Sequence, residues 1–296
     1  MEKSLINRAW IFLFFLSSVF LFSCKNVKNI SKNQNYTEFN KIVANRVVSL
    51  SPSSTELLCL AGAKEKIVAR TDFCDFPEDV KSFPSVGGFD GKSISIEKIL
   101  SFSPDLVCLT KGMHEHFIQI LTDQKINFYV SQNDSISSIL NDTKNFGKIC
   151  GTSKIAEENV QKIEKNLEII KEKTKNLKKV SVYWEIWDSP LMSCGSLSNV
   201  NELIEIAGGK NIFSEINEAY PIVSEESLIY KNPEIIIFSK DFVGGVQKIK
   251  NRSGWKNISA VKNDKIFAVD SNTLTRPGSR IVENIETLLK IFHPEV

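Results

Sequence analysis

Few residues of this chain have the types and spacing that catalysis or metal binding requires. The segment GGFDGKS at 87–93 comes closest to a phosphate-binding loop, but the motif GxxxxGKS needs a glycine where Val86 stands. Neither a GxSxG nucleophile turn nor an HExxH zinc motif is present. Of the three histidines, His114 and His116 lie two apart on a predicted helix and are interpreted as a solvated surface pair, and His293 as structural. The sequence therefore gives no catalytic residue and no metal site.

A different chemistry, covalent lipid attachment, is indicated at Cys24. An apolar run of thirteen residues at 10–22 follows two basic residues; it is shorter than the ~20 residues of a membrane span and typical of a secretory signal. The run ends in LFSC at 21–24, which is similar to the bacterial lipoprotein cleavage box, although Phe22 replaces the usual small residue. We predict a signal peptide at 1–23, a lipid on Cys24, and a location in the periplasm or at the cell surface. An uncleaved anchor and ordinary secretion stay open.

Composition and charge limit the remaining classes of protein. The chain has 296 residues, of which 42% are hydrophobic and 24% charged, and its net charge is 37 − 35 = +2. This composition suits a globular protein of one large or two ordinary domains and excludes a disordered or collagen-like chain. Because nucleic-acid binding normally needs a basic surplus, we expect no nucleic-acid partner. The Asn- and Lys-rich segment 24–45 is predicted to be a flexible tether.

The positioning elements follow from hydrophobic patterns after residue 45. Predicted strands lie at 46–50, 66–70, 105–109, 127–130, 180–184, 234–238 and 265–269, and predicted helices at 94–102, 114–123, 136–146, 200–207, 225–230 and 279–292. Between the halves, 153–179 shows apolar residues at helical spacing without Gly or Pro, which predicts a helix of about 40 Å. The predicted fold class is α/β, with two Rossmann-like lobes (46–150 and 180–296) joined by one long bridging helix (151–179).

An internal repeat supports the two lobes. Residues 95–109 align with 224–238 without a gap; Ser, Glu and Pro coincide, and the apolar positions match. Each copy reads as a helix, a proline stop and a buried strand, which indicates two lobes built around one copy each, although chance can also produce such a match.

The cysteines leave the disulfide state open. Five follow Cys24, at positions 59, 74, 108, 150 and 194, and no CxxC spacing occurs. None, one or two disulfides are compatible with the sequence.

A resemblance to a known family rests on segments that follow one another in a fixed order along the chain: RVVSLSPSSTELLCLAGAKEKIVARTDFCDFP (46–77), VGGF (86–89), SIEKILSFSPDLV (95–107), IAGGKNIF (206–213), YPIVSEE (220–226), RSGW (252–255) and RPGSR (276–280). Together they resemble the vitamin B12 and iron-complex binding proteins of bacterial ABC importers. The resemblance covers 46–296, and TDFCDFP with VGGF favours the vitamin B12 branch. It implies two α/β lobes with a ligand in the cleft between them, no enzyme activity and no resident cofactor. The implied ligand is cobalamin or a related corrinoid, and the implied partner is an ABC permease with a cytoplasmic ATPase. We expect a monomer that touches the membrane only through its lipid. An iron-siderophore or haem ligand, and an enzyme acting on a corrinoid or ester, are the alternatives.

The resemblance also implies the residues of the site. Candidate ligand-binding residues are Pro52, Phe73, Phe89, Trp184, Tyr220, Asn272 and Arg276, and Trp187 is added for its aromatic character. Phe89 and Thr110 stand where vitamin B12 binders often have Trp, which keeps the siderophore and haem alternatives open. Glu97 and Glu226 occupy equivalent positions in the repeat and are predicted to dock on arginines of the two permease halves. Solvated helix-surface acids are the alternative for these two residues.

Overall fold

The computed structural model describes residues 36–37, 43–88, 93–132 and 134–296. The predicted signal peptide, the predicted lipidation site Cys24 and the candidate ligand-binding residue Phe89 lie outside these residues. In the described part of the chain, no helix has the length and hydropathy needed to cross a membrane.

The N-terminal lobe is a five-stranded sheet with helical crossovers. Its strands are β1 (Tyr36–Thr37), β2 (Val47–Ser49), β3 (Ile67–Ala69), β4 (Leu106–Thr110) and β5 (Asn127–Ser131), in the order β1-β5-β4-β2-β3. Its helices are α1 (Pro52–Leu60), α2 (Ile96–Ser101), α3 (Ile118–Asp123) and α4 (Ile136–Ile149). The β1 strand is antiparallel to β5, and the other pairings are parallel. Because β1 pairs with β5 and Ala44 is buried, this lobe begins inside the segment predicted as a tether.

The bridging helix α5 (Ser153–Thr174) has 22 residues and a length of about 33 Å. Its buried face consists of Ala156, Val160, Ile163, Leu167, Ile170 and Thr174. This face contacts α1 and α4 of the first lobe. The helix ends five residues before the predicted end at 179, where the chain turns toward the next strand. The sequence analysis placed the end too late because no Gly or Pro marks this turn.

The C-terminal lobe contains a parallel sheet and a small hairpin. The sheet has strands β6 (Val180–Glu185), β9 (Gly209–Asn211), β10 (Ile235–Ser239) and β11 (Ile266–Val269), in the order β11-β10-β6-β9. The hairpin consists of β7 (Trp187–Asp188) and β8 (Leu191–Met192). The helices are α6 (Asn199–Ile206), α7 (Glu225–Lys231), α8 (Gly245–Lys250), α9 (Ser259–Lys262), α10 (Ser271–Leu274) and α11 (Ile281–Phe292). The bridging helix also packs against α6 and α11.

The two lobes share one topology. The order β5-β4-β2-β3 in the N-terminal lobe corresponds, strand for strand, to the order β11-β10-β6-β9 in the C-terminal lobe. The repeat maps onto α2–β4 in one lobe and α7–β10 in the other. Its matching residues Ser103 and Asn232, each followed by Pro, both adopt a left-handed backbone, with φ of 47° and 46°. The predicted two-lobe α/β fold with its bridging helix is confirmed, and the equal strand order supports the duplication.

One hydrophobic core runs through both lobes. A single cluster of buried side chains includes Leu57 of α1, Val160 of α5, Leu203 of α6 and Leu288 of α11. Each lobe also contains one further cluster of buried hydrophobic residues of its own. Because apolar burial stabilises roughly in proportion to its area, the shared cluster favours lobes that keep a fixed relation along the bridging helix.

The histidine prediction was partly wrong. His114 is fully buried, and its Nδ1 accepts a hydrogen bond from the backbone N–H of Thr110 at 3.1 Å. The chain turns there through a 3₁₀ segment, Glu115–Phe117, instead of the predicted continuous helix. His116 is exposed, and its ring lies 4.1 Å from that of Phe117. His293 is buried against the Gly208 carbonyl, as a structural residue should be.

The five described cysteines are free thiols. Burial raises the pKa of Cys59, Cys150 and Cys194 to about 12. These thiols are therefore protonated at neutral pH and poorly reactive.

Candidate functional site

A pocket of about 470 Å³ lies at the carboxyl ends of the C-lobe strands. Its walls come from β6, β10, the residues after β11, and the β7–β8 hairpin. Since neighbouring parallel strands end at the same sheet edge, this edge collects side chains that are far apart in sequence. Open α/β sheets bind ligands at this edge, which makes the pocket the candidate site.

An aromatic wall brings together three residues that the sequence predicted. Trp187, on the hairpin, is 54% exposed, and its indole N–H donates to the Ser189 carbonyl at 2.9 Å. Tyr220 is partly exposed beside it, whereas Trp184 is only 1% exposed and belongs mainly to the core. Phe242 completes the wall and was missed by the sequence analysis, because nothing in its surroundings marks a ligand contact.

The opposite wall is polar. The hydroxyl oxygens of Ser239 and Ser271 are 2.9 Å apart, and Ser239 Oγ accepts from the backbone N–H of Asp241 at 3.2 Å. Asn272, a predicted site residue, is exposed on α10 directly after Ser271. Ser239, Ser271 and Asp241 offer hydroxyl and carboxylate groups for hydrogen bonds with a ligand, whereas Asn272 is not among the residues that line the pocket.

A buried ion pair supports the end of β6 in the pocket wall. Glu185 is 1% exposed and accepts two hydrogen bonds from the Arg252 guanidinium, at 2.5 and 2.7 Å. Burial by itself lowers the pKa of Arg252, but the hydrogen bonds with Glu185 and its negative charge raise the pKa by more. The pKa of Arg252 is therefore above its ordinary value. Arg252 therefore stays charged, and it also stacks on the Trp255 ring at 4.5 Å. The pair fixes the strand end that carries Trp184.

Other cations beside the pocket are also paired. Lys240 donates to Asp270 at 2.7 Å, and Lys248 donates to Asp188 on the hairpin. These hydrogen bonds are the main reason that the pKa values of Asp270 and Asp188 are lowered. Lys240 and Lys248 are therefore each paired with a carboxylate of the protein.

On the N-lobe side, the structure describes Phe73 and Pro52. The Phe73 side chain is 58% exposed, in the loop 71–77. Its neighbour Cys74 is buried, and Cys74 Sγ accepts from the Thr55 hydroxyl at 3.1 Å, which anchors the loop on α1. Pro52 is buried as the first residue of α1, after the N-cap Ser51. The structure thus exposes the Phe73 side chain and buries Pro52 at the start of α1.

Arg276 lies between the two lobes. Its Nη1 donates to Asp75 at 2.6 Å and to Glu56 at 3.2 Å, both in the N-terminal lobe. Its side chain is 12% exposed. The predicted polar ligand contact is therefore already engaged with protein carboxylates.

Sequence reasoning missed the other residues of this junction. Glu56 belonged to the segment 46–77, which also holds Asp75 in TDFCDFP, and Arg280 belonged to RPGSR. Their contact spans more than 200 positions of the chain, and no local pattern shows such a partnership.

The two predicted docking glutamates occupy matching positions. Glu97 and Glu226 are exposed, each in the first turn of its helix, two residues after an N-cap serine. Hydrogen bonds from the Glu97 backbone N–H and then from Ser95 lower the pKa of Glu97, so it is ionised at neutral pH. One turn after Glu226, Tyr230 is 90% exposed.

The family model described as periplasmic binding protein matches residues 47–273. The chain belongs to the periplasmic binding protein family. Members of this family are non-enzymatic, substrate-binding components of transport systems. The match spans both lobes and the bridging helix.

Two curated relatives of this periplasmic binding protein are named as binding proteins. It is 28% identical over 251 residues to the vitamin B12-binding protein of Vibrio campbellii. The alignment covers 84% of this chain and 90% of the relative. It is also 28% identical to an uncharacterized ABC transporter substrate-binding lipoprotein of Bacillus subtilis, which covers 84% of this chain and 80% of the relative.

Solved structures share the fold. A possible iron-binding protein of Staphylococcus epidermidis has a TM-score of 0.76 at 29% identity, over 85% of this chain and 100% of that chain. The periplasmic vitamin B12-binding protein of Vibrio cholerae has a TM-score of 0.74 at 24% identity, over 84% and 97%. A periplasmic heme-binding protein of Roseiflexus has 0.76 at 20%, over 85% and 98%. The likenesses at 24% and 20% identity show the fold alone.

Proposed function

We propose that this periplasmic binding protein is a lipid-anchored, extracytoplasmic component of an ABC importer. In this proposal it captures cobalamin or a related corrinoid in the cleft between the lobes. It then delivers the ligand to a permease whose ATPase lies on the cytoplasmic side. The curated relative named vitamin B12-binding protein supports this ligand class, since its match covers most of both chains.

The observation that carries the ligand proposal is the combination of walls in the C-lobe pocket. Trp187, Tyr220 and Phe242 offer aromatic surface for the apolar parts of a large ring system. Ser239 and Asp241 offer hydrogen-bonding groups for neutral amide arms, which surround a corrinoid ring. A ligand with a flat apolar body and uncharged polar arms fits such walls.

Haem and ferric siderophores are the second candidate class, because Tyr220 places a phenol at the pocket and phenolate oxygen can bind iron. Desolvation, however, raises the pKa of the Tyr220 phenol, so forming the phenolate that iron needs costs more free energy than at an ordinary tyrosine. Haem also carries two carboxylates, whereas Lys240, Lys248 and Arg252 already pair with carboxylates of the protein. The pocket therefore favours the corrinoid.

Fluorescence titration of the chain without residues 1–24 tests this proposal. After removal of Trp10, the remaining tryptophans are Trp184, Trp187 and Trp255. Cobalamin and cobinamide should quench their fluorescence with saturable one-to-one binding at micromolar concentrations or below. If neither corrinoid changes the fluorescence and haemin or a ferric siderophore gives saturable binding, the ligand belongs to the haem and siderophore class instead.

The proposed anchor is the lipid on Cys24, supported by the LFSC box and by the relative named a lipoprotein. Changing Cys24→Ala should leave an unlipidated precursor that takes up no labelled fatty acid. Changing Cys59→Ala is the matched control, since it removes another thiol and should keep the label. Equal labelling of the Cys24→Ala chain and the unaltered chain would rule out this anchor.

A further inference from the structure

A buried carboxylate at the junction of the lobes accepts hydrogen bonds, among the residues that the structure describes, from the opposite lobe. Glu56, on α1 of the N-terminal lobe, is 1% exposed. Its Oε2 accepts from the backbone N–H and the hydroxyl of Ser279, both at 3.1 Å. Its Oε1 accepts from Arg280 at 2.8 Å and from Arg276 at 3.2 Å. These four contacts match the about four lone-pair sites of a carboxylate.

Further contacts join the same two surfaces. Arg276 also donates to Asp75 at 2.6 Å, and the Ser53 hydroxyl donates to the Pro277 carbonyl at 2.5 Å. The Arg280 guanidinium lies 4.3 Å from the centre of the Phe76 ring. The segments 53–56 and 75–76 of one lobe thus meet the segment 276–280 of the other.

The close approach depends on a residue without a side chain. A Cβ atom added to Gly278 would lie 2.3 Å from Glu56 Oε2. The RPGSR loop therefore presents bare backbone to the Glu56 carboxylate at the buried Gly278, which allows Ser279 to reach it from the main chain.

We infer that Glu56 is a positioning residue that holds the two lobes at a fixed separation and so keeps the cleft formed before a ligand enters. If the lobes separated at this point, a carboxylate and two guanidinium groups would lose their partners together, which opposes opening there. Arg276 then acts on the cleft through Glu56 and Asp75. This inference goes beyond the proposed function and does not depend on which ligand binds.

Hydrogen exchange of the ligand-free protein tests the inference, with mass spectrometry of its peptides as the readout. Changing Glu56→Gln keeps the size of the side chain and removes its charge. We expect backbone exchange in 73–77 and 276–280 to become at least tenfold faster, while exchange in β4 and β10 changes far less.

Changing Glu234→Gln is the matched control. Glu234 accepts from the backbone N–H and the hydroxyl of Ser181, both at 2.9 Å, as Glu56 does from Ser279, but both residues belong to one lobe. This variant should not accelerate exchange in 73–77 or 276–280. Equal protection of both segments in Glu56→Gln and the unaltered protein would overturn the inference, and so would equal acceleration in both variants.

A second variant keeps the test decisive if Glu56→Gln does not fold. Asp75 is half-exposed, so Asp75→Asn removes one interlobe ion pair without leaving a buried cavity. It should accelerate exchange in the same two segments by a smaller factor, about threefold. Unchanged exchange in both segments would contradict the fixed separation. Because no ligand is present, these results stand apart from the titrations that test the proposed function.

Discussion

Trp187 is the individual residue on which the ligand proposal depends most. Its indole is held by Ser189 and exposes about half of its surface in the pocket, so it can stack on a ring without first being ordered. Changing Trp187→Ala should weaken corrinoid binding by roughly 10- to 30-fold, since buried aromatic contacts at binding sites contribute about 1.4–2 kcal/mol or more.

Isothermal titration calorimetry measures this change, with Tyr230→Ala as the matched control. Tyr230 is an even more exposed aromatic residue on α7, outside the pocket, and its removal should leave the affinity unchanged. Equal affinities of the Trp187→Ala chain and the unaltered chain would place the ligand away from the aromatic wall.

Asp142 should make stability depend on pH. Burial raises its pKa from 3.8 to about 6, although a hydrogen bond from Tyr129 at 2.6 Å acts in the opposite direction. As pH rises from 4 to 6, the unfolded chain loses this proton before the folded one. The free energy of unfolding therefore falls by on the order of 2 kcal/mol across this range.

Urea denaturation at pH 4, 5, 6 and 7 checks this sign. In Asp142→Asn the loss between pH 4 and 6 should shrink. Glu234→Gln provides a control of opposite sign, since the Ser181 backbone N–H lowers the pKa of Glu234 and its contribution is lost as pH falls. An Asp142→Asn chain with an unchanged pH profile would show that Asp142 does not titrate in this range.

At the scale of elements, α2 and α7 are the repeated helices that carry the predicted docking residues. The double change Glu97→Ala plus Glu226→Ala should abolish uptake while ligand affinity and Tm stay near their original values. The reason is that each glutamate can form a charge-assisted pair with a permease arginine, and both pairs are needed for register.

The matched control is Glu157→Ala plus Glu158→Ala, which removes two exposed acids from the bridging helix. Uptake of labelled ligand by cells, measured together with binding by the purified variants, separates docking from binding. Normal uptake by the Glu97/Glu226 variant would reduce the two residues to ordinary helix-start acids.

The elements also show what the sequence could predict. Long periodic segments such as α5 and repeated units such as α2–β4 were predictable, because hydrophobic spacing and the proline stops are local signals. The strand β1 was not, since its pairing with β5 lies far along the chain, and the two-residue strands of the hairpin β7–β8 are too short to show an alternating pattern. The end of α5 has no Gly or Pro to mark it. For the candidate site, the resemblance suggested Trp184 and Tyr220 and aromatic character suggested Trp187, whereas Ser239 and Asp241 carry no local mark.

At the scale of the whole molecule, the two lobes form one system through the bridging helix, the shared core and the Glu56 junction. Contacts such as Glu56–Arg280 join positions 224 residues apart, so they follow only from the folded chain. They explain why Arg276, expected at the ligand, is directed to the other lobe. The relation between the two lobes is therefore a property of the folded chain as a whole.

Competition dialysis tests the central claim most directly. The chain without residues 1–24 is dialysed to equilibrium against equimolar cobinamide and haemin, and the visible spectrum of the protein compartment identifies the bound molecule. The account predicts one corrinoid per protein with little haem, and a smaller amount of retained corrinoid in Trp187→Ala at the same concentrations. A haem spectrum at one equivalent, with no corrinoid retained, would contradict it.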